Sequence, residues 1–269
     1  MDLIKEEIVD FEELKLPEIL YKYRSWSNPD HRAIITDQIV YLAAPFDFED
    51  PMDCKLQKDY SLLTQEDIYQ RYFSDSAKFH PGWTIQQHRK FERDWQRKTI
   101  MSHTDLVKKK QNEHLVEFND LYGVLSLTTN PTSKVMWIKY GENHSGFCIG
   151  FNPKVLCRLI GAGGEVVYYD ELPITHPKDP ILLEFNKQVY SKEKKWNFEE
   201  EYRTYRIFPK PASVSDRRVK IPISSFKEII FGSKMPELHK VEIKSICHSL
   251  GMKIVFKNAQ VVDNEIILN

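Results

Sequence analysis

Residues 196–208, Trp-Asn-Phe-Glu-Glu-Glu-Tyr-Arg-Thr-Tyr-Arg-Ile-Phe, drive three consecutive acids into an aromatic, β-prone run. Side chains along a strand alternate between faces, so Glu199, Glu201 and Arg203 share one face while Glu200, Tyr202 and Thr204 take the other. One face therefore carries two acids and a guanidinium. Two readings of that face stay open. Charges on an exposed edge strand deter unwanted strand pairing. Against this, Trp196, Phe198, Tyr202 and Tyr205 supply more aromatic surface than a solvated edge needs, so part of the stretch must be buried. A carboxylate beside buried aromatics is either paired or functional.

The chain around this stretch has 269 residues, enough for one mixed domain with an insertion, and its 41% hydrophobic content supports a real core. Charged residues make up 29% yet cancel to a net −1, so no global basic field recruits nucleic acid or an anionic membrane. The first fourteen residues are acidic where a secretory signal is basic and then apolar, and no apolar run is long enough to span a bilayer. The expectation is a cytoplasmic protein. Cys54, Cys148, Cys157 and Cys247 lack CxxC spacing and read as reduced thiols, mostly serving as small hydrophobes.

Short β-prone runs fall at 19–24, 38–44, 122–128, 145–151, 165–170, 226–231 and 253–256, with helical patterns at 134–140, 181–192 and 236–250. Between the second and third runs lies a helical tract at 64–120, opening on Thr64-Gln-Glu-Asp67 and interrupted at His80-Pro-Gly82. Trp83, Phe91 and Trp95 are expected to pack this tract beside the sheet. Arg89, Lys90, Arg93, Arg97, Lys98 and Lys108 to Lys110 would stay outside, as a solvated basic face or as a surface for a nucleic-acid or protein partner. The strands and unequal helices follow no regular βαβ rhythm and no internal repeat. The expected class is α+β: one domain over 1–269, with a central, mostly antiparallel sheet and a helical insertion at about 64–120.

No Walker loop, GxGxxG fingerprint, GxSxG elbow, HExxH or zinc spacing occurs. His80, His88, His103, His114 and His144 read as ordinary histidines. The loop bearing Asp47, Glu49, Asp50 and Asp53 is acidic, but it lacks the calcium-loop spacing and its glycine. Its acids are expected to cap turns, with no metal bound.

Four segments together resemble a bacterial family known as a domain of unknown function. They are Leu20-Tyr-Lys-Tyr-Arg-Ser25, Leu42-Ala-Ala-Pro-Phe-Asp-Phe-Glu-Asp-Pro-Met-Asp53, the run from Gly123 through Met136-Trp137, Tyr140-Gly, His144 and Gly146 to Phe151, and Trp196-x-Phe-Glu-x-Glu-Tyr-Arg203. Glu49 stands where that family's loop is expected to carry asparagine. The order of these motifs is also similar to the ADP-ribosyltransferases, particularly bacterial toxins that modify nucleic acid. The segment from Ile223 to Gly232, followed by a helix, resembles the strand after the catalytic Glu in those toxins.

That second resemblance implies an opening strand holding NAD, a middle strand with Ser, Thr or Tyr, and a late strand with the catalytic Glu. Lys22 or Arg24, Ser126 or Tyr140, and Glu201 fall in that order. It further implies that Arg24 binds the pyrophosphate, that aromatics such as Tyr21, Trp137 and Tyr140 stack on nicotinamide, and that Glu201 stabilises the developing cation. Glu199 would orient substrate or pair with Arg203. Tyr21, Arg24, Ser126, Trp137 and Glu201 should then converge on one cleft. The expected function is an NAD-consuming ADP-ribosyltransferase-like enzyme, such as a toxin or phage-defence effector acting on nucleic acid or protein. Lys-Tyr-Arg stands in place of the usual histidine, which keeps a non-catalytic interaction module open. A metal-dependent nuclease built on Asp50, Asp53, Glu199 and Glu201 is the remaining alternative.

Overall fold

The structure, a computed structural model, describes residues 15–96, 104–161 and 163–269. The acidic leader, Arg97, Lys98 and His103 lie outside the described residues. In chain order the elements are β1 (Leu20–Arg24), α1 (Pro29–Thr36), β2 (Ile39–Tyr41), α2 (Gln65–Phe79), α3 (Ile85–Gln96), α4 (Thr104–Leu121), β3 (Tyr122–Thr128), α5 (Lys134–Lys139), β4 (Phe147–Phe151) and α6 (Pro153–Ile160). They continue with β5 (Gly163–Glu165), β6 (Val167–Tyr169), α7 (Ile181–Tyr190), β7 (Ser191–Glu193), β8 (Glu201–Ile207), β9 (Arg218–Lys220), β10 (Phe226–Phe231), α8 (Glu237–Ser249), β11 (Val255–Val262) and β12 (Glu265–Leu268).

Eight strands form one sheet in the order β12-β11-β10-β4-β1-β3-β8-β5. Only the β10–β11 contact is parallel; every other neighbour pair in it is antiparallel. The class is α+β with a mostly antiparallel sheet, as the mixed strand and helix patterns imply. The period-two alternation is visible in the core. Leu20, Leu125, Phe147, Ile149 and Ile229 pack on one face with Ile35 of α1, Leu156 of α6 and Ile243 of α8. Tyr21, Tyr23, Cys148 and Ile230 face the other way, onto Met136 and Trp137 of α5.

Two local departures from the sequence reading matter for the site. The stretch 196–208 is not one strand: Lys194–Glu199 is a 3-10 turn, Glu200 sits in the left-handed region at φ 41°, and β8 begins only at Glu201. Nor is β8 an edge, because β3 pairs along its whole length on one side and β5 on the other. The run expected at 165–170 is interrupted at Val166, with β5 paired to β8 and β6 to β7.

Helices α2 to α4 do fall between β2 and β3, but Trp83, Phe91 and Trp95 pack within the α2–α3 pair, and it is Phe118 of α4 that stacks on Tyr122 of the sheet at 4.0 Å. Trp83 stacks on His80 at a centroid distance of 3.8 Å, Phe91 lies 6.0 Å from Trp83, and Trp95 lies 6.2 Å from Tyr72 of α2. Trp83 and Trp95 remain 37% and 45% exposed. The aromatic period that suggested sheet packing is used up by the α2–α3 contact, because facing helices satisfy the same spacing.

The turn between α5 and β4 is pinned by close backbone approach. A Cβ built on Gly146 would lie 2.2 Å from the Arg24 carbonyl oxygen, and one on Gly232 the same 2.2 Å from that of His144. Gly232→Ala should destabilise the fold by about 1–3 kcal/mol, the usual cost of overpacking. Chemical denaturation checks this; a change below about 0.5 kcal/mol would mean the approach is looser than described.

Candidate functional site

β1 and β3 are neighbours yet pair only at Tyr21↔Thr128. Further along, Ala43 takes the β3 edge by bridging Val124. The strands part between these points, and Lys22 Nζ donates to the Ser126 carbonyl oxygen across the gap at 2.5 Å. A cleft of about 330 Å³ opens there, walled by β1, β3, the loop from Asp47 to Asp53, Tyr140, Trp196 and Glu201.

The acidic wall is built around Arg203, which is fully buried. Its fork donates to Asp53 Oδ1 and Oδ2 at 2.7 and 2.6 Å, its Nε and Nη2 reach Glu201 Oε1 and Oε2 at 2.7 and 2.9 Å, and Nη1 also donates to the Val189 carbonyl at 2.7 Å. Lys192 donates to Glu201 Oε2 at 2.9 Å and to Glu199, and lies 3.5 Å from Asp53 Oδ2. Tyr140 completes the group by donating its hydroxyl to Glu199 Oε1 at 2.6 Å. Three carboxylates thus surround two cations in a water-poor setting. Burial alone would raise the Glu201 carboxyl, but the Arg203 and Lys192 charges overcome it and hold Glu201 well below the usual carboxylate range. Burial likewise disfavours the Lys192 ammonium, and Glu201 foremost among its acids outweighs that, so its pKa is raised.

The other wall is cationic and differently satisfied. Burial, then the neighbouring charge of Arg24, lowers Lys22 well below the ordinary lysine value. Burial also brings Arg24 down to about 10. Among the described residues neither has a carboxylate at ion-pair distance; Arg24 Nη1 donates only to the Tyr23 carbonyl, at 3.3 Å. Strand alternation starts Lys22 and Arg24 on the face opposite to Tyr21. They border the cleft because the sheet is split beside them.

Of the eight residues singled out from sequence, Tyr21, Lys22, Arg24, Ser126, Tyr140, Glu199 and Glu201 line this one cleft. Trp137 does not. It is fully buried beneath the cleft, its ring edge-on to Tyr23 at 5.0 Å and its Nε1 donating to the Pro131 carbonyl, so it is core and unavailable for stacking on a ligand. Tyr41, Phe48 and Trp196 present the accessible aromatic surface instead. Tyr21 is not idle either, since its hydroxyl donates to buried Glu228 at 3.1 Å.

Sequence reasoning missed Lys192 as a site residue, because it sits in the Ser-Lys-Glu-Lys-Lys run that reads as solvated surface. It weighed Asp53 as a turn-capping loop acid and, in the nuclease alternative, as an acid around a metal, not as the partner of Arg203. Within that loop Asp47 does accept from the Ala44 amide and Asp50 from the Met52 amide, the capping roles expected of them. Asp53 has left the loop's own network for Arg203. Among the described residues no group of three or more His, Cys, Asp or Glu side chains is arranged around a metal position; the carboxylates converge on Lys192 instead.

Residues 136–204 match the model of a family described as protein of unknown function, DUF2971. The matched segment runs from α5 through the Glu199, Glu201 and Arg203 cluster, and so includes all of the Trp196 to Arg203 motif and the later part, from Met136, of the Gly123 to Phe151 motif. No curated protein and no solved structure matches the chain. Among the described residues no helix is long and apolar enough to cross a membrane.

Replacing Arg203 with Met should cost about 3–5 kcal/mol, because Asp53 and Glu201 are left buried without their shared partner; equilibrium denaturation measures it. Glu201 also makes stability depend on pH. Its folded pKa is lowered, so its contribution is fully present above the ordinary carboxylate value of about 4.3 and is lost as pH falls below it toward the lowered folded value. Denaturation midpoints should fall as pH drops from about 5 toward about 2, and Glu201→Gln should flatten that slope; an equal slope in both proteins would assign the acid lability elsewhere.

Proposed function

We propose that the chain is an NAD-consuming, ADP-ribosyltransferase-like enzyme working in the β1–β3 cleft. The observation carrying this reading is the pairing of two opposed walls. Among the described residues Lys22 and Arg24 have no carboxylate at ion-pair distance, and they border the same cleft as the ionised Glu201. Arg24 offers a fork suited to phosphate oxygens, and Glu201 offers a fixed negative charge where a ribosyl carbon turns cationic. Tyr41, Phe48 and Trp196 give a nicotinamide ring apolar and aromatic surface. The split, mostly antiparallel sheet suits the ADP-ribosyltransferase-like architecture that the motif order implies.

In the reaction, the bond between the nicotinamide nitrogen and the ribose carbon breaks, and its electron pair leaves with nicotinamide as a neutral molecule. The acceptor nucleophile bonds to that carbon and releases its proton to solvent. Glu201 steadies the charge between these events, and Tyr140 keeps Glu199 beside it. A setting such as a toxin or phage-defence effector, with nucleic acid or protein as acceptor, fits this activity.

One observation favours a binding-only descendant: both Glu201 oxygens are already held by Arg203 and Lys192. Incubation with NAD separates the readings. Nicotinamide release is expected, and Glu201→Gln should lower its rate about 10²–10³-fold while the protein stays folded by circular dichroism. Glu199→Gln should be milder, since its amide can still accept from Tyr140. Bound NAD without nicotinamide release favours the binding-only site. Small, equal effects of the two substitutions on a measured release would remove Glu201 from the chemistry.

A phosphate in the cleft would also change Lys22. Burial and Arg24 oppose its charge now, and an added anion favours it, so binding takes up a proton there. Affinity for NAD should therefore weaken as pH rises through the free-state pKa of Lys22. Lys22→Met should remove that slope when binding is followed by calorimetry across pH.

A further inference from the structure

The cleft does not end at Lys22 and Arg24. A second compartment of about 390 Å³ begins on their far side and shares both residues, and Tyr41, with the first. It lies between α1, β2 and the loop before β9, and is thus on the opposite side of the split from Glu201. Its volume is within the range of small-molecule pockets, about 300–1,000 Å³.

Its lining has two parts. Ala33, Ile34, Ile39, Val40 and Leu125 make apolar walls. His31 and Arg218 stand at the polar part, beside the shared Lys22 and Arg24. The Ser25 amide donates to His31 Nδ1 at 3.2 Å, which fixes that nitrogen as acceptor and leaves the Nε2–H as a donor. Burial, then the Arg24 and Lys22 charges, brings His31 down to about 4, so the neutral ring persists at neutral pH. Arg218 holds Asp30 at 3.3 Å and keeps part of its guanidinium exposed. An apolar-walled compartment with a neutral ring donor, Asn28 and the Arg218–Asp30 pair at its polar part, bordered by Lys22 and Arg24, suits an uncharged heteroaromatic base carrying phosphate. An acidic peptide would leave the apolar walls unused, and a purely apolar ligand would leave Lys22 and Arg24 without a counter-charge.

We propose that this α1-side compartment is a nucleotide-binding site, taking a nucleobase between α1 and β2 with its phosphate on Lys22 and Arg24. The proposal rests on the reading of the cleft given above only for the identity of the neighbour in the first compartment. The same chemistry has two sources: the adenylate half of an NAD molecule lying across the split, or a separate nucleotide that meets NAD at Lys22 and Arg24.

The test uses the full chain with AMP and nicotinamide mononucleotide as probes, followed by calorimetry. Val214 lines the compartment at its exposed rim, so Val214→Trp narrows the slot without touching the core. This substitution should weaken AMP at least about tenfold, roughly 1.4 kcal/mol, and leave nicotinamide mononucleotide within about twofold. Arg218→Ala is the second variant, expected to weaken AMP alone to a lesser degree. Competition then separates the sources: NAD displacing AMP one for one assigns the compartment to the dinucleotide, and simultaneous binding assigns it to a second nucleotide. No AMP binding to the wild-type chain, or AMP affinity unchanged in both variants, overturns the proposal. Nicotinamide release is read in parallel, so AMP binding without release would sink the NAD-cleaving reading and leave the nucleotide site standing.

Discussion

The buried guanidinium of Arg203 is the interaction on which the rest of the site depends. It ties a loop residue, Asp53, to a strand residue, Glu201, and to the end of α7 through the Val189 carbonyl. A loop 150 residues away in sequence is thereby fixed on the same side chain as β8 and the end of α7. A lysine could not do this, because an ammonium has no planar fork to meet two carboxylates at once. The arrangement is not a cheap source of stability, since desolvating five charged groups costs heavily and well-packed apolar residues often do as well. Its consequence is geometric: it fixes where the Asp47 to Asp53 loop crosses the sheet, and hence where the cleft has its wall.

The second constraint is the parting of β1 from β3. A sheet closed along this boundary would hydrogen-bond its backbone groups there and leave no room for side chains. With one register pair between the strands, the β3 edge is satisfied otherwise, by Ala43 at one point and by the Lys22 ammonium at another. Side chains from both faces of β1 therefore border one opening. Tyr21 and Lys22, which strand alternation separates, end up lining the same cleft. The glycine contact of Gly146 with the Arg24 carbonyl holds the end of β1 in place, so the strand side of the opening is set by packed backbone.

Much of the secondary structure was legible because it is written in period. β3 and β10 occupy the runs expected for them, and β1, α5 and α8 differ by a residue or so at their ends. What was not legible was tertiary competition for the same pattern. Trp137 carries the same aromatic signal as Trp196, yet one is core and the other faces the cleft, and only the position of α5 under β1 distinguishes them. Glu199, Glu201 and Arg203 were expected on one strand face; Glu201 and Arg203 share it, while Glu199 reaches the cluster from a turn. Its capture by Lys192 and Tyr140 depends on β7 running beside β6. No spacing in the chain announces that. β12 and the longer β11 were missed because their exposed, mixed composition gives weak alternation.

The cationic wall follows from the acidic one. Lys22 lies close enough to Glu201 and Glu199 for these acids to favour its charge, and in a simpler cleft such groups would collapse into ion pairs. They do not, because Arg203 and Lys192 occupy the Glu201 oxygens first, and Lys192 and Tyr140 occupy those of Glu199. The internal cations thus keep the acids from neutralising Lys22 and Arg24. Acid and base remain facing each other across an opening, each held in place by partners on its own side or by backbone. A ligand that brings a negative charge to one wall and a developing positive charge to the other meets both without first breaking a salt bridge. Such preorganisation is what converts a buried charge cluster, a doubtful contributor to stability, into a usable site.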